Sequence, residues 1–476
     1  MITFYDTPAR EKRPFEPAQA NQVRMYSCGP TVWDYAHIGN FRAFLFADVL
    51  KRYLQYRGFE VQHVMNLTDV DDRIAQRVRE SGVSLREYTD QYIAGFFADL
   101  DALNIRRADL YPRATEHVTE MVDLIGRLVE RGVAYERDGS VYFSIEQFPA
   151  YGEFAHLDTT GMLDGARVDT DKYDKDHARD FVLWKAWTEG DGDVAWDSPF
   201  GRGRPGWHVE CSAMSMKYLG ETFDIHTGGV DLVFPHHQNE VAQSEGATGQ
   251  KYARFWMHNE FLNIDGEGMS KSLGNQLTLK QMAETPENVR AYRYLVVTSH
   301  YRTILNFTAQ ALEGARSALR RLNRFRDRLA EVDGAGQALP EDAGAHWQEL
   351  VQAAAAGLTE AMDDDLNAPR AMAAVWGVVG EGEKALGRGD LSAADAAAAG
   401  RFLDDADGVF GFFYRLEGEA DTSRELPAAL ASLIEQREAA RAAKEWARAD
   451  ELRDELDQAG VEVRDGSDGT EWSWKK

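Results

Sequence analysis

Three groups of residues in this chain have types and spacings that could do chemistry. His37 and Asn40 close the segment CGPTVWDYAHIGN, between a short apolar run (Val23, Met25, Tyr26) and a stretch where Phe46, Val49, Leu50, Tyr53 and Leu54 recur at helical spacing. That pattern puts them where a strand gives way to a helix. Such a helix start favours anions, because its unpaired N–H groups and its dipole both face negative charge. Lys271 lies in GMSKSLGN, where Gly266, Gly268 and Gly274 flank Met269, Ser270, Lys271 and Ser272. This composition suits a mobile loop that can close over a polyphosphate. The third group is Cys28, Cys211 in GWHVEC, and His236 and Glu240 in FPHHQNE. Pro235 is placed to begin a helix, which would set His236 and Glu240 at i and i+4 on one face. Thiolate, imidazole and carboxylate are all ligands that zinc accepts, so the four make a complete candidate shell. The chain has no CxxC knuckle, however, and a single Cys or a His pair is more often a core or surface residue. Residue types alone leave both readings open.

The elements that must position these groups follow from the same pattern. After the first helix Gly58 breaks the periodicity and Phe59 to Met65 reads as another strand, completing a βαβ unit of the nucleotide-binding type. A chain of 476 residues with 44% hydrophobic content has room for several domains and an ample core. Two cysteines in such a chain have no use as a disulfide framework. No basic start leads into an apolar h-region, and no apolar stretch approaches the roughly 20 residues that cross a bilayer, so a cytoplasmic location without a membrane partner is expected.

The net charge of −26 does not suggest a nucleic-acid ligand, because phosphate binding needs Lys and Arg in quantity. Two local basic runs run against the sum: Arg316, Arg320, Arg321, Arg324, Arg326 and Arg328, then Arg437, Arg441, Lys444 and Arg448. The ordinary reading of such a run is a solvated helix face with acidic neighbours.

Taken together, the motifs resemble the class I aminoacyl-tRNA synthetases, and the cysteinyl-tRNA synthetase family in particular, from Cys28 to the GTEW near the C-terminus. HIGN is similar to that family's HIGH motif with Asn40 in place of the last histidine, and MSKS to its KMSKS loop with Gly268 in place of the first lysine. The resemblance implies ATP-dependent activation of L-cysteine to cysteinyl-AMP and transfer to the 3′ end of tRNA(Cys). It implies His37, Asn40 and Lys271 as catalytic residues, with Met269, Ser270 and Ser272 joining them at ATP. It implies one zinc ion per chain on Cys28, Cys211, His236 and Glu240, with His237 as an orienting neighbour, and Mg²⁺ with ATP. Gly29, Thr31, Asn66, Thr68, Trp207, Gly229 and Asp231 would line the cysteine and adenylate pocket. A zinc ion also answers a chemical need, since a pocket that merely fits a side chain rejects a near-isostere such as serine by only about 10²-fold.

The fold expected is α/β: a Rossmann-type catalytic domain over 1–111 and 205–290, including the MSKS loop region, interrupted by a connective insertion over 112–204. A helical, tRNA-binding bundle over 291–414 and a small C-terminal α/β, anticodon-side domain over 425–476 would follow. Within the last, IEQREAARAAKEWARADELRDEL reads as one long charged helix before a hairpin-like GVEVRDGSDGTEW end. Trp446 is expected in a core, while Trp472 and Trp474 could pack or stack on bases. Trp376 and Phe402 are expected to pack in the bundle. Without a heptad seam a monomer is expected. The competing reading is a ligase that activates cysteine in the same way and passes it to the amine of an amino sugar; the bundle and the KEWARAD tail argue against it.

Overall fold

The computed structural model describes residues 1–157, 180–269, 274–283, 285–332, 343–414, 416, 427–466 and 469–474. The expected phosphate-loop residues Ser270, Lys271 and Ser272 lie outside the described residues.

Strand β1 (Gln22–Ser27) leads through a loop to helix α1 (Ile38–Tyr56) and back to β2 (Glu60–Met65). Helix α2 (Trp207–Leu219), β3 (Phe223–Gly229), helix α3 (Gln238–Thr248) and β4 (Ala253–Asn259) make the second half. The four strands form one parallel sheet in the order β4-β3-β1-β2, with Met25 opposite both Ile225 and His63. Val23, Met25, Ile225 and Met257 are buried in it, as expected for a sheet covered on both faces. The chain leaves β1 toward one edge and β3 toward the other. A crevice therefore opens at the carboxyl ends of β1 and β3, the usual ligand position in such a sheet. Helix α1 buries Phe46, Val49, Leu50, Tyr53 and Leu54, the residues whose spacing announced it, and Gly58 with φ 86° turns the chain into β2.

Between β2 and α2 lies an antiparallel sheet of Ala134–Arg137, Ser140–Phe143, Phe181–Ala186 and Gly203–Pro205. Phe143, Leu183 and Trp184 of this sheet share a core with Leu124, Ile125 and Leu128 of the helix Val118–Glu130 and with Val209, Ala213 and Met214 of α2. After β4 a short hairpin (Leu262–Ile264 with Glu267–Gly268) precedes the MSKS segment, and Leu262–Ile264 also pairs in parallel with Leu305–Phe307.

Helices α4 (Pro286–Val297), α5 (Ala309–Ala330), α6 (Ala343–Asp363), α7 (Ala368–Arg388) and α8 (Ala393–Phe410) follow. Leu322, Phe325, Met362, Val375 and Leu403 from this bundle belong to the same continuous core as Phe41 and Leu45 of α1. Phe402 packs there, and half-buried Trp376 carries the Arg321 guanidinium 5.2 Å over its ring. The first basic run is largely engaged within the protein: Arg320 pairs with Glu287, Arg321 with Glu383 and Arg316 with Glu313.

The C-terminal segment departs from the single helix expected. Lys444 takes a left-handed φ of 60°, and the chain folds into two packed helices, α9 (Ala428–Ala442) and α10 (Trp446–Gln458). The hairpin of β5 (Val461–Gly466) and β6 (Gly469–Trp474) closes a small core of Ile434, Leu456, Val461 and Val463. Trp446 is 58% exposed, correcting its assignment to a core, because the break places it at the start of α10. Trp472 packs against this small core, while the side chain of Trp474 lies outside the described residues.

Candidate metal and phosphate site

The loop leaving β1 and the start of α2 and α3 converge on the crevice. Cys28 follows the last residue of β1, and its N–H donates to the Thr227 carbonyl of β3 (3.2 Å). Cys211 sits one turn into α2, and Glu240 lies in the first turn of α3. Phe234 is extended and His237 and Gln238 have helical backbone, so the helical path into α3 begins after Phe234, at Pro235, with a π-type first turn before the regular helix. His236 and Glu240 meet at i and i+4 as expected, with Nε2 3.1 Å from Oε1.

The ligand atoms of Cys28, Cys211, His236 and Glu240 all lie within 4.8 Å of one another. Cys28 Sγ is 3.9 Å from Cys211 Sγ and 3.8 Å from Glu240 Oε1. Tetrahedral zinc with bonds of about 2.0–2.3 Å spaces its ligand atoms about 3.3–3.8 Å apart, so the donors fit such an ion in type and nearly in spacing. Cys211, His236 and Glu240 are almost fully buried, while Cys28 is partly open toward the crevice.

The electrostatics favour a cation at this point. Burial pushes the Cys28 thiol up, whereas the hydrogen bond from Cys28 pulls Cys211 down to about 6. Burial opposes charge on Glu240, but His226 and His236 beside it hold its carboxyl well below the usual range. Glu240 Oε2 faces His226 Nε2 (2.9 Å) and accepts from the Tyr252 hydroxyl (3.1 Å), which leaves Oε1 toward the cysteines. These buried partners orient the carboxylate, as outer partners of metal ligands commonly do.

Sequence reading missed His208, His226, His258 and Tyr252. His208 Nδ1 lies 2.9 Å from His236 Nδ1, and His237 bridges Cys28 Sγ (3.3 Å) and His258 Nε2 (2.7 Å). A histidine near the carboxyl end of an apolar parallel strand, as at His226 and His258, was the available signal. A second set of Cys28, His226, His237 and Glu240 also falls within 4.8 Å, but in it His226 and His237 are already engaged with Glu240 and His258.

Three of the expected pocket residues, Gly29, Asn66 and Thr68, are joined by hydrogen bonds beside Cys28. The Gly29 N–H donates to Asn66 Oδ1 (2.8 Å), and Asn66 Nδ2 donates to Thr68 Oγ1 (3.0 Å). Thr31 pairs with Thr68 as a parallel bridge, so Asn66 and Thr68 are buried supports of the loop that carries Cys28. A Cβ at Gly29 would stand 1.8 Å from the Asn66 carbonyl oxygen, so only glycine fits. The Trp207 ring lies 4.2 Å from that of His236 and is 37% exposed at the mouth. Gly229 is less constrained, since a Cβ there would meet only the Asp231 side-chain Oδ1, at 2.3 Å, and Asp231 is exposed and can move aside.

At the phosphate side His37 is the N-cap of α1. Its Nδ1 accepts from the Asn40 N–H (3.3 Å), and Asn40 Oδ1 accepts from the His37 N–H (3.1 Å). This reciprocal capping box satisfies two helix-start donors and fixes the Asn40 side chain. The segment after MSKS folds onto the same turn: the Ile38 N–H donates to the Leu277 carbonyl (2.8 Å) and His37 pairs with Thr278. Met269 reaches over Gly39, where a Cβ would stand 2.1 Å from its terminal methyl.

Residues 14–317 match the tRNA synthetases class I (C) catalytic domain, 358–414 the DALR domain and 423–472 the cysteinyl-tRNA ligase anticodon binding domain. The chain belongs to the cysteine–tRNA ligase family. The cysteine–tRNA ligase of Brachyspira hyodysenteriae is 44% identical, covering 100% of this chain and 99% of that protein. That of Chlamydia pneumoniae is 46% identical over 98% of this chain and 97% of that protein. Solved structures show the class I fold at lower identity. Mycobacterium tuberculosis methionyl-tRNA synthetase with methionyl-adenylate has a TM-score of 0.58 at 16% identity, covering 82% of this chain and 89% of that one. The ternary complex of Agrobacterium radiobacter LeuRS with tRNA and LeuAMS has a TM-score of 0.60 at 11% identity, over 84% and 85% of the two chains. Relatives matched end to end, together with the anticodon-binding match, leave the amino-sugar ligase without support.

Proposed function

We propose that this protein is a cysteine–tRNA ligase that joins L-cysteine and ATP to cysteinyl-AMP and pyrophosphate, then transfers the cysteinyl group to the 3′ end of tRNA(Cys). The observation that carries this is the cluster of four metal-type donors beyond the end of β1, in a chain similar to cysteine–tRNA ligases over its full length. Zinc held by Cys28, Cys211, His236 and Glu240 would supply a Lewis acid that prefers a thiol to an alcohol.

The protein's own contribution is placement. Trp207 walls the pocket against His236, the Gly29 loop lets the substrate approach closely, and Asp231 at the rim offers a carboxylate for the substrate ammonium or the ribose. His37 and Asn40 at the start of α1 receive the phosphates, and Met269, Ser270, Lys271 and Ser272 would join them at ATP. Attack of the carboxylate on the α-phosphorus needs alignment and neutralisation of the leaving pyrophosphate, and Lys271 would supply charge there as it develops. Mg²⁺ is proposed to enter with ATP. A monomer acting in the cytoplasm is proposed, in keeping with the lack of any helix long and apolar enough to cross a membrane among the described residues.

The test is cysteine-dependent exchange of labelled pyrophosphate into ATP, with metal content measured on the same sample. One zinc per chain and exchange with cysteine but not serine support the reading; exchange with both amino acids at equal rate would overturn the metal's part in selection.

A further inference from the structure

One turn of the molecule is held from two sides by residues that follow the MSKS segment. The turn is Ile38, the first residue of α1 and the centre of HIGN. Its N–H donates to Leu277, and its carbonyl accepts from the Tyr292 hydroxyl of α4 at 2.5 Å. Tyr292 is fully buried, edge-on to Phe307 at 6.1 Å, and burial pushes its phenol upward, so it remains a donor at working pH. The next residue, Arg293, fixes α4 in turn. It pairs with Asp48 of α1 (2.7 Å) and donates to the carbonyls of Leu103, Asn104 and Phe410. Helix α4 thus touches α1 at its first turn and again in its interior, with the end of α8 as a third anchor.

We propose that Tyr292 is a positioning residue for ATP: its hydroxyl sets the attitude of the first turn of α1, and so of the His37 and Asn40 side chains that receive the phosphates. This rests on the adenylate-forming reading above. The Ile38 carbonyl has a second lone pair beyond its intrahelical bond, so the tyrosine adds a lateral restraint that the helix itself lacks. Misplacement of reacting groups by about 1 Å can cost about 10²-fold in rate, whereas losing one hydroxyl leaves the ring packing intact.

Tyr292→Phe keeps the ring against Phe307 and strands no donor. In pyrophosphate exchange without tRNA it is expected to raise KM for ATP and lower kcat, together by about 5- to 30-fold in kcat/KM. KM for cysteine and zinc content are expected to stay at wild-type values. Binding of ATP alone, read by calorimetry, is expected to weaken in parallel. A lower melting temperature with unchanged ATP parameters would make Tyr292 merely structural and overturn the proposal. An equal rise in KM for cysteine and ATP would also overturn it, as a general loosening of the site. If wild-type protein showed no cysteine-dependent exchange, the function reading itself would fall; exchange in wild type with no ATP effect in Tyr292→Phe defeats this inference alone.

Discussion

At the residue scale, Cys211 is the proposed ligand whose removal is most informative, because it is buried and its thiol is already pulled toward the thiolate by Cys28 and His236. Cys211→Ser is expected to lose most bound zinc and to slow cysteine activation by about 10²-fold or more, measured by metal analysis and pyrophosphate exchange. Full metal content with full preference for cysteine over serine would contradict the ligand set. Asn40 is informative for a different reason. In place of the histidine of the HIGH motif, it closes the capping box with His37, so Asn40→Ala is expected to cost about 1 kcal/mol of stability, read by chemical denaturation. The four donors were legible from residue types and family likeness. His208, His226, His258 and Tyr252 were not, because they contact the site through the sheet and helix packing rather than through any local spacing.

At the scale of elements, the parallel sheet was readable because β1, α1 and β2 carry clean apolar periodicity ended by Gly58. The start of the helical path at Pro235 was legible, because an extended Phe234 before a proline marks a helix entry; the π-type first turn before Gln238 was not. The break between α9 and α10 was hidden by a sequence with helical composition throughout, and only the left-handed Lys444 marks it. Strand β2 carries a pH prediction. Burial lowers the pKa of His63 to about 3, with the nearby Lys51 charge adding to the effect, while its Nε2 meets Ser27 Oγ at 2.9 Å. The unfolded chain therefore binds a proton that the folded chain refuses. The stability from a neutral His63 is fully present above about pH 6.5 and is lost as pH falls from there toward 3, at about 1.4 kcal/mol per pH unit. His63→Gln is expected to flatten the fall in denaturation midpoint between pH 7 and pH 5; an unchanged slope would assign acid lability elsewhere.

At the scale of the whole molecule, one continuous core joins α1 to the bundle, whereas the C-terminal helices and hairpin close a small core of their own. Ending the chain after Leu416 is expected to leave pyrophosphate exchange within about 2-fold and to reduce kcat/KM for tRNA by about 10-fold or more, compared by the two assays on one preparation. The acidic net charge and the internally paired Arg320 and Arg321 mean that tRNA contacts must come from local groups rather than from an overall field. The central claim is cysteine transfer to tRNA, and the measurement that tests it most directly is attachment of labelled cysteine to total tRNA by zinc-replete protein with ATP and Mg²⁺. Cysteine, but not serine, should reach the tRNA, and Lys271→Ala should slow it by about 10² with zinc unchanged. Cysteine-dependent pyrophosphate exchange without any labelled tRNA would contradict the account.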